Sequence, residues 1–445
     1  MPRVVVVSPP FISHARPLSV LAGALRRRGA DVYFGCAPAF EHLAREARVG
    51  FEPLSVTRNA NTGVAEATVQ DAREAARLAE FLDATREGAV PALLAQARHR
   101  RADLLADPDG VLDALRSAHR RLRPDWYVVD QLSYPVTLAL HCLGLPYATF
   151  CPGHPSYVLS GPDAYFGVPH AWPDALRPDP ERLAELRAAA RENDEAFTAL
   201  FAAFARRHAP SRPAPGRAFA LSSPHAVVHA YPAFPWLPAA APGPVRLFAG
   251  HMAAVAGPLG AEWDARLKTL RSSGERVVLV ALGTFLSARD DVLRTVVRGI
   301  LDGMADVSVV VAAGGRTAAL ADLAGARAVV VPSVPQRALL EQVDAMVHHG
   351  GGNSFTECLR AGVPAVVLPF SSDQFSVARD AERAGAGVVL DPNALSPGDV
   401  PAALGTLWRS VSPSMPGLAA TVRGRGPGWA AGELLDAMGP RKPAR

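Results

Sequence analysis

Cysteine is scarce in this chain. Four residues in 445, Cys36, Cys142, Cys151 and Cys358, stand far apart, with no CxxC pair and no histidine at zinc spacing. That pattern excludes a disulfide framework or a zinc ribbon and fits reduced, buried thiols in a cytoplasmic protein. Long apolar runs are absent too. None approaches the roughly 18 residues needed to cross a bilayer. Val4 to Val7 is too short for a signal peptide, and Pro9-Pro10 follows at once. Nor does one sign of charge dominate: the formal charge is +4 and the pI about 9.0. Arginine runs are short (Arg26 to Arg28, Arg98 to Arg101, Arg120 to Arg123) and read as solvated helix faces, which argues against a nucleic-acid partner.

What is present is alternation. At 445 residues, 49% of them hydrophobic and 20% charged, the chain is long enough for two globular cores. Arg3 to Ser8 is a continuous β-branched run suited to a buried parallel strand. Leu18, Leu21, Ala22 and Leu25 then recur at helical spacing before Gly29, and Asp31 to Cys36 resumes as strand. Trp126 to Val129 and Tyr147 to Phe150 flank a helical stretch, Val136 to Cys142, and 180–208 reads as one amphipathic helix. A second series follows: strand Val277 to Ala281, helix 290–303, and strands at Val307 to Val311, Ala328 to Val331 and Ala345 to Val347. This is βαβ logic in both halves, so the expected fold class is α/β, with two Rossmann-like, doubly wound parallel-sheet domains facing a cleft. The expected domains are 1–230 and 246–415, joined by a Pro-rich linker at 231–245, with a tail at 416–445 packing back on the first domain.

The densest chemical signal is His348 to Gln374. A short strand ends in two histidines and three glycines, Asn353 and Ser354 open a helix, and a second strand ends at Ser371-Ser372-Asp373-Gln374. Glycines let backbone approach a bulky anion, and the free N–H groups of a helix start point at it. A nucleotide-linked sugar fits: phosphate at the helix start, hydroxyls beside Asp373 and Gln374. Gly283-Thr284 after another strand is placed to complete the phosphate cradle, or is an ordinary turn. In the first half, His14 follows strand one and Asp130 ends the strand from Trp126, both at the carboxyl edge of the sheet. A carboxylate behind a histidine holds the tautomer needed of a base. A loop histidine and a strand-end aspartate are equally common as structural residues, so both readings stand. Asp107-Pro108-Asp109 spells a metal-binding DxD but sits between helical stretches in turn-forming sequence, and Gly350 to Gly352 lacks the lysine of a P-loop.

These residues together resemble a GT-B glycosyltransferase of family 1, the nucleotide-sugar transferases that decorate small lipophilic molecules. The run from Val334-Pro335-Gln336 through Gln374 resembles the family's donor signature, and Ser13-His14 through Pro17-Leu18 its N-terminal motif. The resemblance implies a donor site of Gly283, Thr284, Val334, Gln336, His349, Gly351, Gly352, Asn353, Ser354, Glu357, Asp373 and Gln374. In it, His349, Asn353, Ser354 and Thr284 serve the diphosphate, Glu357 the ribose hydroxyls, and Asp373 and Gln374 the sugar. It implies His14 as general base with Asp130 as its supporting acid. No metal and no cofactor are implied, only the co-substrate, for which Glu357 favours UDP over dTDP and Asp373-Gln374 favour glucose. Three positions depart from the family. Ser13 replaces the usual glycine, Ser333 stands where plant members stack a tryptophan on the base, and Gly352 replaces another plant tryptophan.

The expected function is thus inverting transfer of a hexose to a hydroxyl of a small natural product, with no stable membrane insertion. A dTDP-deoxysugar transferase, a non-catalytic helper of a partner transferase and a nucleotide-sugar epimerase are the alternatives. The acceptor is expected against 59–100 and 152–178, where Phe81, Tyr157, Phe166 and Trp172 are equally well explained as core.

Overall fold

Each half repeats one rule: an apolar strand buried on both faces, then a helix laid back across it. A computed structural model describes residues 1–56, 72–239, 243–411 and 414–439. The front half begins β1 (Arg3–Val7), α1 (Ile12–Arg27), β2 (Asp31–Cys36), α2 (Glu41–Ala47) and β3 (Gly50–Pro53). It continues through α3 (Ala72–Glu87), α4 (Ala89–Leu104), α5 (Pro108–Leu122), β4 (Trp126–Asp130), α6 (Tyr134–Leu143) and β5 (Tyr147–Cys151). Helix α7 (Pro180–His208), β6 (Ala226–His229) and β7 (Val245–Phe248) complete it. The rear half runs α8 (Ala261–Ser273), β8 (Arg276–Ala281), α9 (Gly283–Leu286), α10 (Asp290–Gly303), β9 (Val307–Ala312) and β10 (Ala328–Val331). Then come α11 (Gln336–Leu339), β11 (Ala345–His348), α12 (Gly352–Ala361), β12 (Ala365–Val367), α13 (Gln374–Arg383) and β13 (Gly387–Val389). Helices α14 (Asp399–Thr406), α15 (Met415–Arg423) and α16 (Pro427–Met438) come last among the described residues.

The strands form two parallel sheets, ordered β3-β2-β1-β4-β5-β6-β7 and β10-β9-β8-β11-β12-β13. In each, the order reverses once near the centre, between β1 and β4 in front and between β8 and β11 behind. Val7 pairs with Val129 across the first reversal and Ala281 with His348 across the second. At such a reversal the loops leaving neighbouring strands part to opposite faces and open a crevice, where ligands bind in open α/β sheets. The front crevice therefore falls beside His14 and Asp130, the rear one beside Gly283 and His349.

The connection between lobes departs from the expected linker. Val245 to Phe248 pairs with β6 inside the front sheet, so the expected domain start at 246 falls within a strand. The prolines ahead of it obscure that short edge strand in the sequence. Nor is the Pro-rich segment a free spacer: Tyr231 is fully buried in the rear core, with Phe234 and Leu237 packed against the same cluster. The tail divides likewise. Met415 and Val422 of α15 join the rear core, while Ala430, Ala431 and Leu434 of α16 are buried with α1 in the front core. Among the described residues, no helix is long and apolar enough to cross a membrane.

Because Leu434 is fully buried at the seam between the chain's last helix and its first, Leu434→Ala is expected to destabilise the protein by about 2–5 kcal/mol. Urea unfolding would measure this, and a loss below about 0.5 kcal/mol would mean that α16 is not integral to the front lobe.

Candidate active site

Helix α1 begins soon after β1, which puts His14 in its first turn over the front reversal. Asp130, the last residue of β4, is fully buried. One carboxylate oxygen accepts from the Leu132 main-chain N–H at 2.9 Å, and the other lies 3.0 Å from His14 Nδ1. With both oxygens engaged, the carboxylate has one orientation, and it holds the His14 proton on Nδ1. Nε2 is left as the free lone pair, and the ring is about 19% exposed. Burial disfavours the charged imidazolium, but the charge and hydrogen bond of Asp130 outweigh it. With a further contribution from Asp373, they raise the His14 pKa above its ordinary value.

In the rear lobe His348 closes β11, and its Nδ1 accepts from the Gly350 N–H at 2.9 Å, which locks the turn. His349 then lies against two glycines. Gly283 has φ +78°, and a Cβ there would stand 2.6 Å from the His349 ring, so glycine is required on both counts. A Cβ on Gly351 would stand 2.5 Å from Nε2 of the same ring. Burial lowers the His349 pKa to about 4, so at neutral pH it is an uncharged N–H donor. Its Nδ1 is buried without a hydrogen-bond partner among the described residues, as is His348 Nε2. Helix α12 starts at Gly352, one residue before expectation, with Gly351 as N-cap and no side-chain cap. Its first turn thus receives no capping side chain from the N-cap residue, which suits an anion.

Around that helix start, Gln336 Nε2 donates to Glu357 Oε2 at 2.8 Å and lies 3.4 Å from Ser354 Oγ. Burial raises the Glu357 pKa. Val334 packs at the edge of the apolar cluster under α11. The Gln374 side chain turns into its own loop, where Oε1 accepts from the N–H groups of Phe370 and Ser371 at 2.9 and 3.1 Å. The backbone of Thr284 lies in α9; its side chain is outside the described residues.

The two crevices meet. Asn353 Nδ2 donates to the Ser13 carbonyl at 2.9 Å, which sets the start of α12 beside the residue preceding His14. Asp373 lies within electrostatic reach of the His14 ring. Gly352 also lies against the front lobe: a Cβ would stand 3.3 Å from the Pro152 carbonyl, a tight contact. The DxD aspartates are occupied elsewhere. Asp107 caps α5 through the Gly110 N–H, and Asp109 pairs with Arg207 and His208. Of the aromatic residues considered for an acceptor wall, Phe166 stacks on Phe219 and Trp172 packs on Phe375. Tyr157 packs on Phe166, and Phe81 lies against the rear core. Residues 59–71 of the expected acceptor region lie outside the described residues. Two residues that sequence reading passed over, His154 and Asp380, are buried at this seam.

Residues 225–412 match the model of the family described as UDP-glucoronosyl and UDP-glucosyl transferase. A sterol 3-beta-glucosyltransferase of Sclerotinia sclerotiorum is 35% identical over 130 residues, 27% of this chain and 9% of that protein. An uncharacterized UDP-glucosyltransferase of Bacillus subtilis, YdhE, is 34% identical over 119 residues, 26% of this chain and 29% of the relative. The chain thus spans a minor part of the curated relatives it matches. Over nearly its whole length it superposes on the glycotransferase of kitacinnamycin (TM-score 0.68, 22% identity, covering 98% of this chain and 99% of the other). The calicheamicin glycosyltransferase CalG4 gives 0.66 at 18% identity, covering 99% and 100%. VinC in complex with DTDP gives 0.64 at 21%, covering 98% and 99%. Residues 225–412 thus resemble the UDP-glucoronosyl and UDP-glucosyl transferase family, and the whole chain has the GT-B fold.

Because Asp130 raises the His14 pKa, the His14 NMR titration midpoint is expected above 6.5, with the free base present above that midpoint. Asp130→Asn should lower the midpoint. An unchanged midpoint in the variant would break the assigned pairing.

Proposed function

We propose that this protein is an inverting glycosyltransferase that moves a hexose, glucose in the first instance, from a UDP-sugar to a hydroxyl of a small lipophilic natural product. The observation that carries the reading is the Asn353–Ser13 hydrogen bond of 2.9 Å, which brings the donor helix start beside the base-bearing turn. In the reaction, His14 Nε2 takes the acceptor's hydroxyl proton and Asp130 stabilises the resulting imidazolium. The oxygen attacks the anomeric carbon from the side opposite the diphosphate. As the C–O bond to the diphosphate breaks, its electron pair leaves with the phosphate, where N–H groups of α12 and the neutral His349 receive the charge. This chemistry draws on protein N–H donors rather than a bound cation, and the DxD aspartates serve α5 and a surface ion pair instead.

Glu357, held by Gln336, is the group for a ribose with two hydroxyls, which supports UDP. The second reading, a dTDP-sugar donor, is supported by fold neighbours such as VinC and the spinosyn rhamnosyltransferase SpnG, whose structures hold thymidine diphosphate. The kitacinnamycin, spinosyn and calicheamicin names of the neighbours support a natural-product acceptor.

Mass spectrometry of products from an acceptor panel with UDP-glucose tests the reading. His14→Ala is expected to lower turnover roughly 10²–10⁴-fold with nucleotide affinity kept, and near-parent turnover would remove His14 from the role. Calorimetric titration is expected to show tighter binding of UDP-glucose than of a dTDP-deoxysugar; the opposite order would select the second reading.

A further inference from the structure

The front-lobe segment after β5, from Pro152 to Tyr157, has no part in the chemistry above, yet it lies along the donor residues. The His154 main-chain N–H donates to Asp373 Oδ2 at 2.7 Å. A Cβ on Gly153 would stand 2.6 Å from that oxygen, closer than any side chain permits. The Tyr157 hydroxyl lies 2.6 Å from Ser372 Oγ, and Ser372 takes the left-handed φ of 60°. That backbone is unusual for serine and is sustained only where surroundings fix it.

The His154 ring is fully buried, and its tautomer is set locally. Nδ1 accepts from the Ser156 N–H at 3.2 Å, so the proton is on Nε2, which donates to Asp380 Oδ2 at 3.1 Å. Asp380 is 2% exposed and stands seven residues beyond Asp373, two turns along α13 on the same face. Its carboxylate also accepts from the Tyr231 hydroxyl at 3.0 Å and from Trp236 Nε1–H at 2.7 Å. A buried carboxylate is costly unless hydrogen-bonded; here three donors, all from outside the rear sheet, satisfy it and hold it still.

We propose that His154 and Asp380 are a positioning pair for Asp373. Asp380 fixes the His154 ring, the ring fixes its own main chain, and that N–H holds one oxygen of Asp373 while the other is left to a sugar hydroxyl. Sugar recognition then belongs to the closed pair of lobes rather than to the rear lobe alone, and nucleotide binding does not depend on the pair. The proposal rests on the reading of Asp373 as a sugar contact.

Calorimetry with UDP and UDP-glucose, and with dTDP and dTDP-glucose alongside, separates these statements. Asp373→Asn is expected to weaken the nucleotide sugar about tenfold while sparing the free nucleotide. His154→Ala is expected to give the same selective loss, and His154→Gln, whose amide N–H replaces Nε2–H, to restore most of it. Combining His154→Ala with Asp373→Asn should add less than about threefold further, because both act on one contact. Equal weakening of nucleotide and nucleotide sugar in His154→Ala, or no recovery in His154→Gln, would overturn the pair. No effect of Asp373→Asn would overturn the proposal through the sugar reading instead. Should His154→Ala fail to fold, the isosteric Asp380→Asn carries the test: a selective loss of sugar affinity supports the pair, and its absence overturns it.

Discussion

The structure depends on registering two sheet reversals against each other across one gap. On the proposed reading neither lobe holds a complete reaction site: the front crevice would supply a base and the rear crevice N–H donors. What makes them one site is a set of polar contacts between residues hundreds of positions apart. Asn353 meets Ser13, His154 meets Asp373 and Asp380, and Tyr157 meets Ser372. Each such bond is worth only about 1 kcal/mol net, so the seam is held by many of them together with the Tyr231 and Phe234 side chains threaded from the front-sheet connection into the rear core. Apolar contacts cross it too, with Trp172 on Phe375 and Phe81 against the rear core.

Two histidines at the gap are tuned in opposite directions by what surrounds them. His14 backs onto a buried carboxylate and its pKa rises, which favours accepting a proton. His349 is buried without a carboxylate and its pKa falls to about 4, so at neutral pH it is an uncharged donor. On the proposed reading the same side chain type would serve proton transfer in one lobe and phosphate recognition in the other, with local burial and charge deciding which.

Much of this was legible in the sequence, for physical reasons that differ by element. The long helices at 180–208 and 290–303 and the strand at 328–331 have the expected bounds because their apolar periodicity runs uninterrupted between proline, glycine or charged stops. Short strands escaped: β6 is four residues beside an irregular loop, and β7 is an edge strand behind prolines. The donor motif was readable because glycines, histidine and a helix start fall within one continuous stretch. His154 and Asp380 were not, since they are 226 positions apart and each alone is an unremarked polar residue. Gln374 shows the limit from the other side: its position in the motif was plain, but its engagement by its own loop was visible only in three dimensions.

The most direct measurement of whether base and diphosphate pocket share one gap is the NMR titration of His14 with and without saturating nucleoside diphosphate, using whichever nucleotide calorimetry selects. A diphosphate seated at the start of α12 adds negative charge near the imidazole, so the His14 midpoint is expected to move upward on binding. A midpoint that does not move with the pocket filled would place the two groups in separate sites and contradict the convergence of the lobes.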